Sequence, residues 1–287
     1  MSGKAQGRKI AIIGSSGQVG RPTVKALLAS GIHTITAVQR IEATSTFPPE
    51  VIVKCSDLKD ESFLASTVQG HDAVVLMPPL PHLVSLQEPA VRAAGTAGVP
   101  YILPAEFGPD PFASKLIEDN QLLQDKKKIR DLIEELGVSS WISVAVGPFL
   151  DVNIKSDLWG IDVENRKATI WTGAVGKVNT SSVAQTGQAT ATVLSLSGRD
   201  LSRKQQGRRI RDWEIDYQGM NDALKECNDK IQHKDATAPF VKFFITHFRE
   251  GSGGDFESKV DVSEVKKLYE IGLQKEAVDN VLERTVS

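Results

Sequence analysis

The 287-residue chain has little of what marks several whole classes of protein. Its two cysteines, Cys55 and Cys227, are too few for a disulfide framework or a cysteine-rich metal site, so a reducing, cytoplasmic setting is expected. Its five histidines show no HxxxH or HExxH spacing, and no metal is expected. No apolar run approaches the ~20 residues that span a bilayer. The segment Met1 to Lys9 is polar and has no hydrophobic stretch of the kind a secretion signal needs. Neither sign of charge dominates: the formal net charge is -2 and the pI about 6.2, so nothing points to nucleic acid or an anionic membrane. A 40% hydrophobic content at this length suits one large domain or a domain with an appended lobe.

What the chain does have is concentrated near its start. The apolar run Ile10 to Ile13 stops at Gly14, and Gly14, Ser15, Ser16, Gly17, Gln18, Val19 and Gly20 follow before a helical pattern of Val24, Leu27 and Leu28. Strand, tight turn and helix in that order place backbone N–H groups and a helix N-terminus where a pyrophosphate can sit. Gly14 allows the turn, Gly17 lets backbone approach a ligand, and Gly20 lets the helix pack close on the strand. The spacing is GxxGxxG rather than GxGxxG, and its place directly after a strand makes a dinucleotide site the reading of choice.

The first half continues in the same rhythm. Strands are predicted at Lys9–Ile13, Ile35–Gln39, Val51–Lys54, Ala73–Met77, Tyr101–Leu103 and Ser140–Ala145. Helices are predicted near Pro22–Ser30, Glu61–Val68, Leu86–Gly95 and Leu116–Leu136. Strands apolar on both faces that alternate with helices predict an α/β, Rossmann-type doubly wound parallel sheet with right-handed crossovers. Beyond Gly147-Pro148 the rhythm degrades. Ala168–Trp171 reads as a short strand, Val183–Ser195 as a helix, Lys204–Arg211 as a basic solvated loop and Gly251–Gly254 as a flexible one. Val265–Ile271 and Val278–Leu282 read as helical. The division expected is a dinucleotide-binding domain at 5–155 and a smaller C-terminal substrate lobe at 156–287, interleaved with the last strands of the sheet. In such a sheet ligands bind beyond the C-terminal strand ends. Candidate contacts are therefore Met77, Pro78 and Pro79, then Ala105, Glu106 and Phe107, then Gly147, Pro148 and Phe149.

The second strand ends Ala37-Val-Gln-Arg40, with no acidic residue at its tip to accept from a ribose 2′-hydroxyl. Arg40 suits a 2′-phosphate, which favours NADPH over NADH. Arg21 either assists or is solvated. Asp57 and Leu58 frame the adenine, or Asp57 caps a helix. In the helix of Gln124 to Leu136 the apolar stripe is Leu122, Ile129, Ile133 and Leu136. At about 100° per residue Lys126 lies within roughly 40° of Leu122, on that stripe, whereas Lys127 and Lys128 point away. Lys126 either snorkels to water or is desolvated and becomes a usable general acid or base. Trp159 and Trp171 are pocket walls or core.

None of the three tyrosines has a lysine four residues on: Ala105, Asn221 and Leu273 follow Tyr101, Tyr217 and Tyr269 at that spacing. The Tyr-x-x-x-Lys pair of ordinary short-chain dehydrogenases is thus missing. In its place, Leu103-Pro-Ala-Glu-Phe-Gly108-Pro-Asp110, the run from Lys126 through Arg130 to Ile133-Glu134, and Asp57-Leu58-x-Asp60 closely resemble the isoflavone reductase-like branch of the NmrA-like atypical short-chain dehydrogenases. That branch includes pinoresinol-lariciresinol, phenylcoumaran benzylic ether and isoflavone reductases. The resemblance covers roughly residues 8–155 well and the rest in outline. It implies that Lys126 is the general acid/base, Arg40 the phosphate-binding arginine, and the glycine turn the pyrophosphate site. Three departures stand out: Ala105 replaces the family's usual serine, Ser15-Ser16 replace a threonine, and no second basic residue follows Arg40.

The expectation is an NADPH-dependent reductase of an aromatic or heterocyclic secondary metabolite, monomeric or homodimeric. Hydride would pass to an electrophilic carbon, with Phe107, Phe149 and Trp159 around the substrate. Two other readings stay open: an NmrA-type dinucleotide-binding redox sensor without catalysis, and a non-redox cyclase or isomerase on the same fold.

Overall fold

The computed structural model describes residues 5–196, 214–259 and 262–286. The basic segment Lys204–Arg211 lies outside the described residues. The first half forms β1 (Lys9–Ile13), α1 (Gly20–Ser30), β2 (Thr34–Gln39), β3 (Val51–Cys55), α2 (Glu61–Val68), β4 (Ala73–Leu76), α3 (Leu83–Thr96), β5 (Tyr101–Leu103), α4 (Ser114–Asp119), α5 (Gln121–Leu136) and β6 (Ser140–Trp141). The six strands make one parallel sheet in the order β3-β2-β1-β4-β5-β6. Strand order reverses between β1 and β4, and the cleft beyond their C-terminal ends is where such sheets bind ligands.

The alternation of apolar side chains explains the layers. Ile10, Ile12, Ala37, Val75 and Leu103 point to one face of the sheet, where α1 lies, and Ala11, Ile13, Val74, Leu76 and Ile102 to the other, against α2, α3 and α5. Two predicted elements change shape. The single helix expected over Leu116–Leu136 breaks at Asn120, whose backbone is extended (φ -135°, ψ 115°). The Asn120 side-chain amide donates to the Leu116 carbonyl at 2.8 Å and the Thr246 hydroxyl at 3.1 Å, so the break anchors a helix of the second half. The last strand stops at Trp141 instead of Ala145. Beyond it, Ala145 forms an isolated bridge with Gly108, and the N–H groups of Val146 and Gly147 both donate to the Gly108 carbonyl (2.9 and 2.8 Å).

The second half contains α6 (Leu150–Lys155), β7 (Ile161–Asp162), β8 (Lys167–Thr172), α7 (Val183–Ser195), β9 (Glu214–Gly219), α8 (Met220–Gln232), α9 (Ala238–His247), α10 (Val262–Glu270) and α11 (Val278–Val286). Among the described residues it adds no strand to the main sheet. What interleaves is a helix: α7 packs on α1 so closely that a Cβ on Gly187 would stand 2.6 Å from the Pro22 carbonyl carbon. Strands β7, β8 and β9 form a separate three-stranded sheet. The loop of Gly251–Gly254 is packed rather than free, because buried Ser252 donates from its hydroxyl to the His247 carbonyl at 2.8 Å.

Candidate functional site

A cleft of about 970 Å³ opens at the β1–β4 switch point, a volume in the range of small-molecule sites. Its floor is the glycine turn. Gly14 has φ +86°, and a Cβ there would overlap the Met77 carbonyl oxygen; a Cβ on Gly20 would overlap the Gly14 carbonyl oxygen. The turn closes with Gly17 N–H donating to the Gly14 carbonyl at 3.0 Å. Among the described residues no side chain caps the N-terminus of α1. The Ser15 hydroxyl is buried in the turn with no hydrogen-bond partner among the described residues. Arg21 does not reach the cleft: its Nε donates to the Ser16 carbonyl at 2.8 Å.

Ser15, Ser16, Gly17, Gln18, Val19, Arg40, Leu58, Met77, Pro78, Pro79, Ala105, Phe107, Lys126, Gly147, Pro148 and Phe149 all line the cleft together with Gly14. Four expected contacts do not. Gly20 lies beneath the turn as packing. Asp57 is exposed, accepts from the Lys59 N–H at 2.9 Å and leaves the capping of α2 to Asp60, which accepts from Phe63 N–H at 3.0 Å. Glu106 turns away from the cleft to meet Arg130 at 2.5 Å. Trp159 stands behind the wall, edge-on to Phe244 and Phe248 with ring centroids 5.9 and 5.6 Å away. Trp171 belongs to the same buried cluster.

Lys126 projects from α5 and is 6% exposed, while Lys127 and Lys128 pair with Asp131 and Asp125 in solvent. The buried face of α5 is Leu123, Lys126, Ile129, Arg130, Leu132 and Ile133; Leu122 is half-buried and lines the cleft, and Leu136 is exposed. Lys126 therefore does not snorkel. It forms no ion pair or hydrogen bond among the described residues, and burial pushes its ammonium below the usual lysine range. The Glu106 carboxylate opposes that shift and the Arg130 guanidinium adds to it. Gly108 leaves room for the amine: a Cβ there would be 3.3 Å from Nζ.

The surrounding braces explain the motif residues. Arg130, one turn beyond Lys126, donates to Glu106 and to the Pro111 carbonyl at 3.0 Å, and its guanidinium stands 5.7 Å over the Trp141 ring. Buried Gln87 on α3 accepts from the Ala105 N–H at 2.8 Å. The segment Leu103–Gly108 is thus fixed from two helices, and Lys126 is presented to one point of the cleft.

Several lining residues carry no expectation from the sequence. At the end beside Arg40 these are Val38, Gln39, Glu42, Ala43, Thr44 and Ser45. At the other end they are Leu80, Pro81 and His82, then Val152, Asn153 and Leu158, then Phe240, Phe243 and Phe244 on α9. The 240/243/244 spacing is itself a helical signal for one aromatic face.

Residues 6–194 match the model of the NmrA-like family. Among curated proteins, the oxidoreductase aprR of Aspergillus flavus is 29% identical over 168 residues, 56% of this chain and 55% of that protein. The matched stretch thus spans about half the length of that relative. Among solved structures, AtPrR2 with NADP+ and (+)pinoresinol superposes with a TM-score of 0.74 at 22% identity over 99% of this chain and 100% of the other. Leucoanthocyanidin reductase from Vitis vinifera in a binary complex with NADPH gives 0.73 at 14% identity, over 97% and 99%. At these identities the likeness shows a shared fold.

Proposed function

This chain belongs to the NmrA-like family, and from that premise we propose that it is an NADPH-dependent reductase of an aromatic or heterocyclic secondary metabolite, with Lys126 as general acid or base. A cytoplasmic protein, monomeric or homodimeric, with residues 156–287 as the substrate lobe, goes with that reading. One observation carries it: a buried, unpaired lysine opens on the same cleft as a glycine turn shaped for a pyrophosphate.

The residues fit a dinucleotide. The orphaned Ser15 hydroxyl, the uncapped start of α1 and the side-chain-free turn suit its pyrophosphate, and Arg40 suits a 2′-phosphate. When bound, the dinucleotide supplies a hydride for an electrophilic carbon such as that of an enone, quinone methide or iminium. Phe107, Phe149, Phe240 and Phe243 line a largely apolar space suited to a flat ring. Lys126 holds the proton that the substrate heteroatom gains, or takes the one it loses. Its lowered pKa brings both protonation states within reach nearer to neutrality than an ordinary lysine allows.

Calorimetric titration with NADPH, NADP+, NADH and NAD+ tests the cofactor half of the reading. Tightest binding of NADPH supports a working reductase. Equal or tighter binding of the oxidised forms favours a sensor. Lys126→Met tests the other half: it keeps cofactor affinity and lowers turnover of an electrophilic aromatic substrate by about 10²- to 10⁴-fold. Retained turnover removes Lys126 from the chemistry. As an acid, Lys126 must be protonated, so the rate falls as pH rises through its lowered pKa.

A further inference from the structure

A second cavity, of about 400 Å³, lies beside β6, on the far side of the Gly108–Ala145 bridge from the cleft. Ala189 on α7, Leu268 on α10 and Val281 on α11 make its apolar walls, and Trp141 and Ser143 its sheet side. Protein interiors are close-packed, so an apolar space of this size is of ligand dimensions rather than a packing fault. The partition between the two spaces is thin: Phe107, Gly108 and Pro109 face the cleft, and Asp110 onward faces the cavity.

The charges around it select the occupant. Three charged residues line the cavity, Asp110, Lys275 and Glu276. Asp110 is held by Lys259 at 3.1 Å, and Glu276 by Arg284 and the Ser182 hydroxyl, both at 2.5 Å. Lys275 is exposed and has no ion pair among the described residues, so the one uncommitted charge is positive. The Ser143 hydroxyl is buried with no hydrogen-bond partner among the described residues. At the mouth, Phe112 is 75% exposed, with its ring 5.9 Å from Trp141. An exposed aromatic at the lip of an apolar space is a mark of a binding surface.

We propose that this cavity is a second ligand site that takes a monoanionic amphiphile of the medium-chain carboxylate class, with its apolar chain between α7, α10 and α11 and its head at Lys275. The site is separate from the dinucleotide cleft and does not depend on the function proposed above.

Dodecanoate titrated into the full chain, followed by calorimetry and tryptophan fluorescence, tests it. One saturable site is expected, unaffected by saturating NADPH, and its fluorescence change disappears in Trp141→Phe. Ala189→Phe, which fills the space, weakens binding at least about tenfold while the circular dichroism stays native. If that variant does not fold, surface Lys275→Gln serves: dodecanoate binding falls about threefold to fivefold and dodecanol binding is unchanged. Absence of binding, affinity unchanged in these variants, or displacement of dodecanoate by NADPH overturns the proposal.

Discussion

Along the glycine turn the cleft is walled by backbone, whereas the opposite wall consists of side chains carried by α5 and α9. At Gly14 in the lining and at Gly20 beneath it there is no volume for even one methyl group, since the Met77 and Gly14 carbonyls already occupy it. At Lys126, Phe243 and Phe244 the lining depends on helices being docked correctly: Arg130 ties α5 to Glu106, and Asn120 ties α9 to the start of α5. A backbone wall is specified where it stands by a local string of residues. A side-chain wall is specified by contacts between segments far apart in the chain, and each contact is a place where the wall can be loosened.

The largest expected effect lies on the side-chain wall. Glu106 and Arg130 are 4% and 7% exposed, so Glu106→Gln leaves a buried guanidinium without its counter-charge. Breaking a buried pair from one side costs about 3–5 kcal/mol, read as a lower urea midpoint with unchanged slope. A loss under about 1 kcal/mol would mean that apolar packing alone holds α5 in place. Next comes the backbone wall. Gly20→Ala forces a methyl against the Gly14 carbonyl and the Ser15 backbone, for about 3 kcal/mol and a sharp fall in dinucleotide affinity. Full affinity in that variant would show that the turn has slack and would erase the contrast.

A pH experiment separates the walls by a smaller amount. His247 on α9 is fully buried, and burial, with the Lys126 ammonium adding to it, lowers its pKa from 6.5 to about 4. The unfolded chain therefore binds more protons than the folded one between those values, and stability must fall as pH is lowered through that window. From pH 7 to 5 this histidine alone removes about 2 kcal/mol. Denaturation of wild type and His247→Leu at both pH values isolates the contribution, because the other titrating groups are common to the two. An identical pH dependence in both would mean that His247 takes up its proton in the folded chain as readily as in the unfolded one.

Legibility followed the same division. Six strands, the glycine turn and the places of Arg40 and Lys126 on the cleft are readable because each rests on a local pattern: apolar runs of fixed length, glycines three apart, an arginine at a strand tip, a lysine on a stripe. The end of β6 is not, because Gly108 draws Ala145 and Val146 toward itself across the sheet. Glu106 has nothing local to show that it faces Arg130 rather than the cleft. Trp159, open between pocket wall and core in the sequence, packs with the core behind Phe244. The aromatic face of α9 has its helical spacing in the sequence, but a helical period does not say which neighbour the face will meet. The second half is expected to interleave with the last strands of the sheet; among the described residues what it packs there is a helix, α7, whose Gly187 permits close approach to α1.

Arg40 gives the smallest effect and bears on both walls at once. It lines the cleft beyond the tip of β2, is exposed, and has no ion pair among the described residues, with Glu42 lining the same end. A lone exposed arginine contributes about a tenfold preference for a 2′-phosphate, less at high salt. Arg40→Gln therefore weakens NADPH binding about tenfold and leaves NADH binding where it was. Glu42→Gln works in the opposite direction, because it removes a negative charge from the approach of a dianionic phosphate, and strengthens NADPH binding by about twofold to threefold at low ionic strength. If Glu42→Gln changes NADPH and NADH alike, the carboxylate acts on the loop rather than on the phosphate. The selectivity then lies with Arg40 alone.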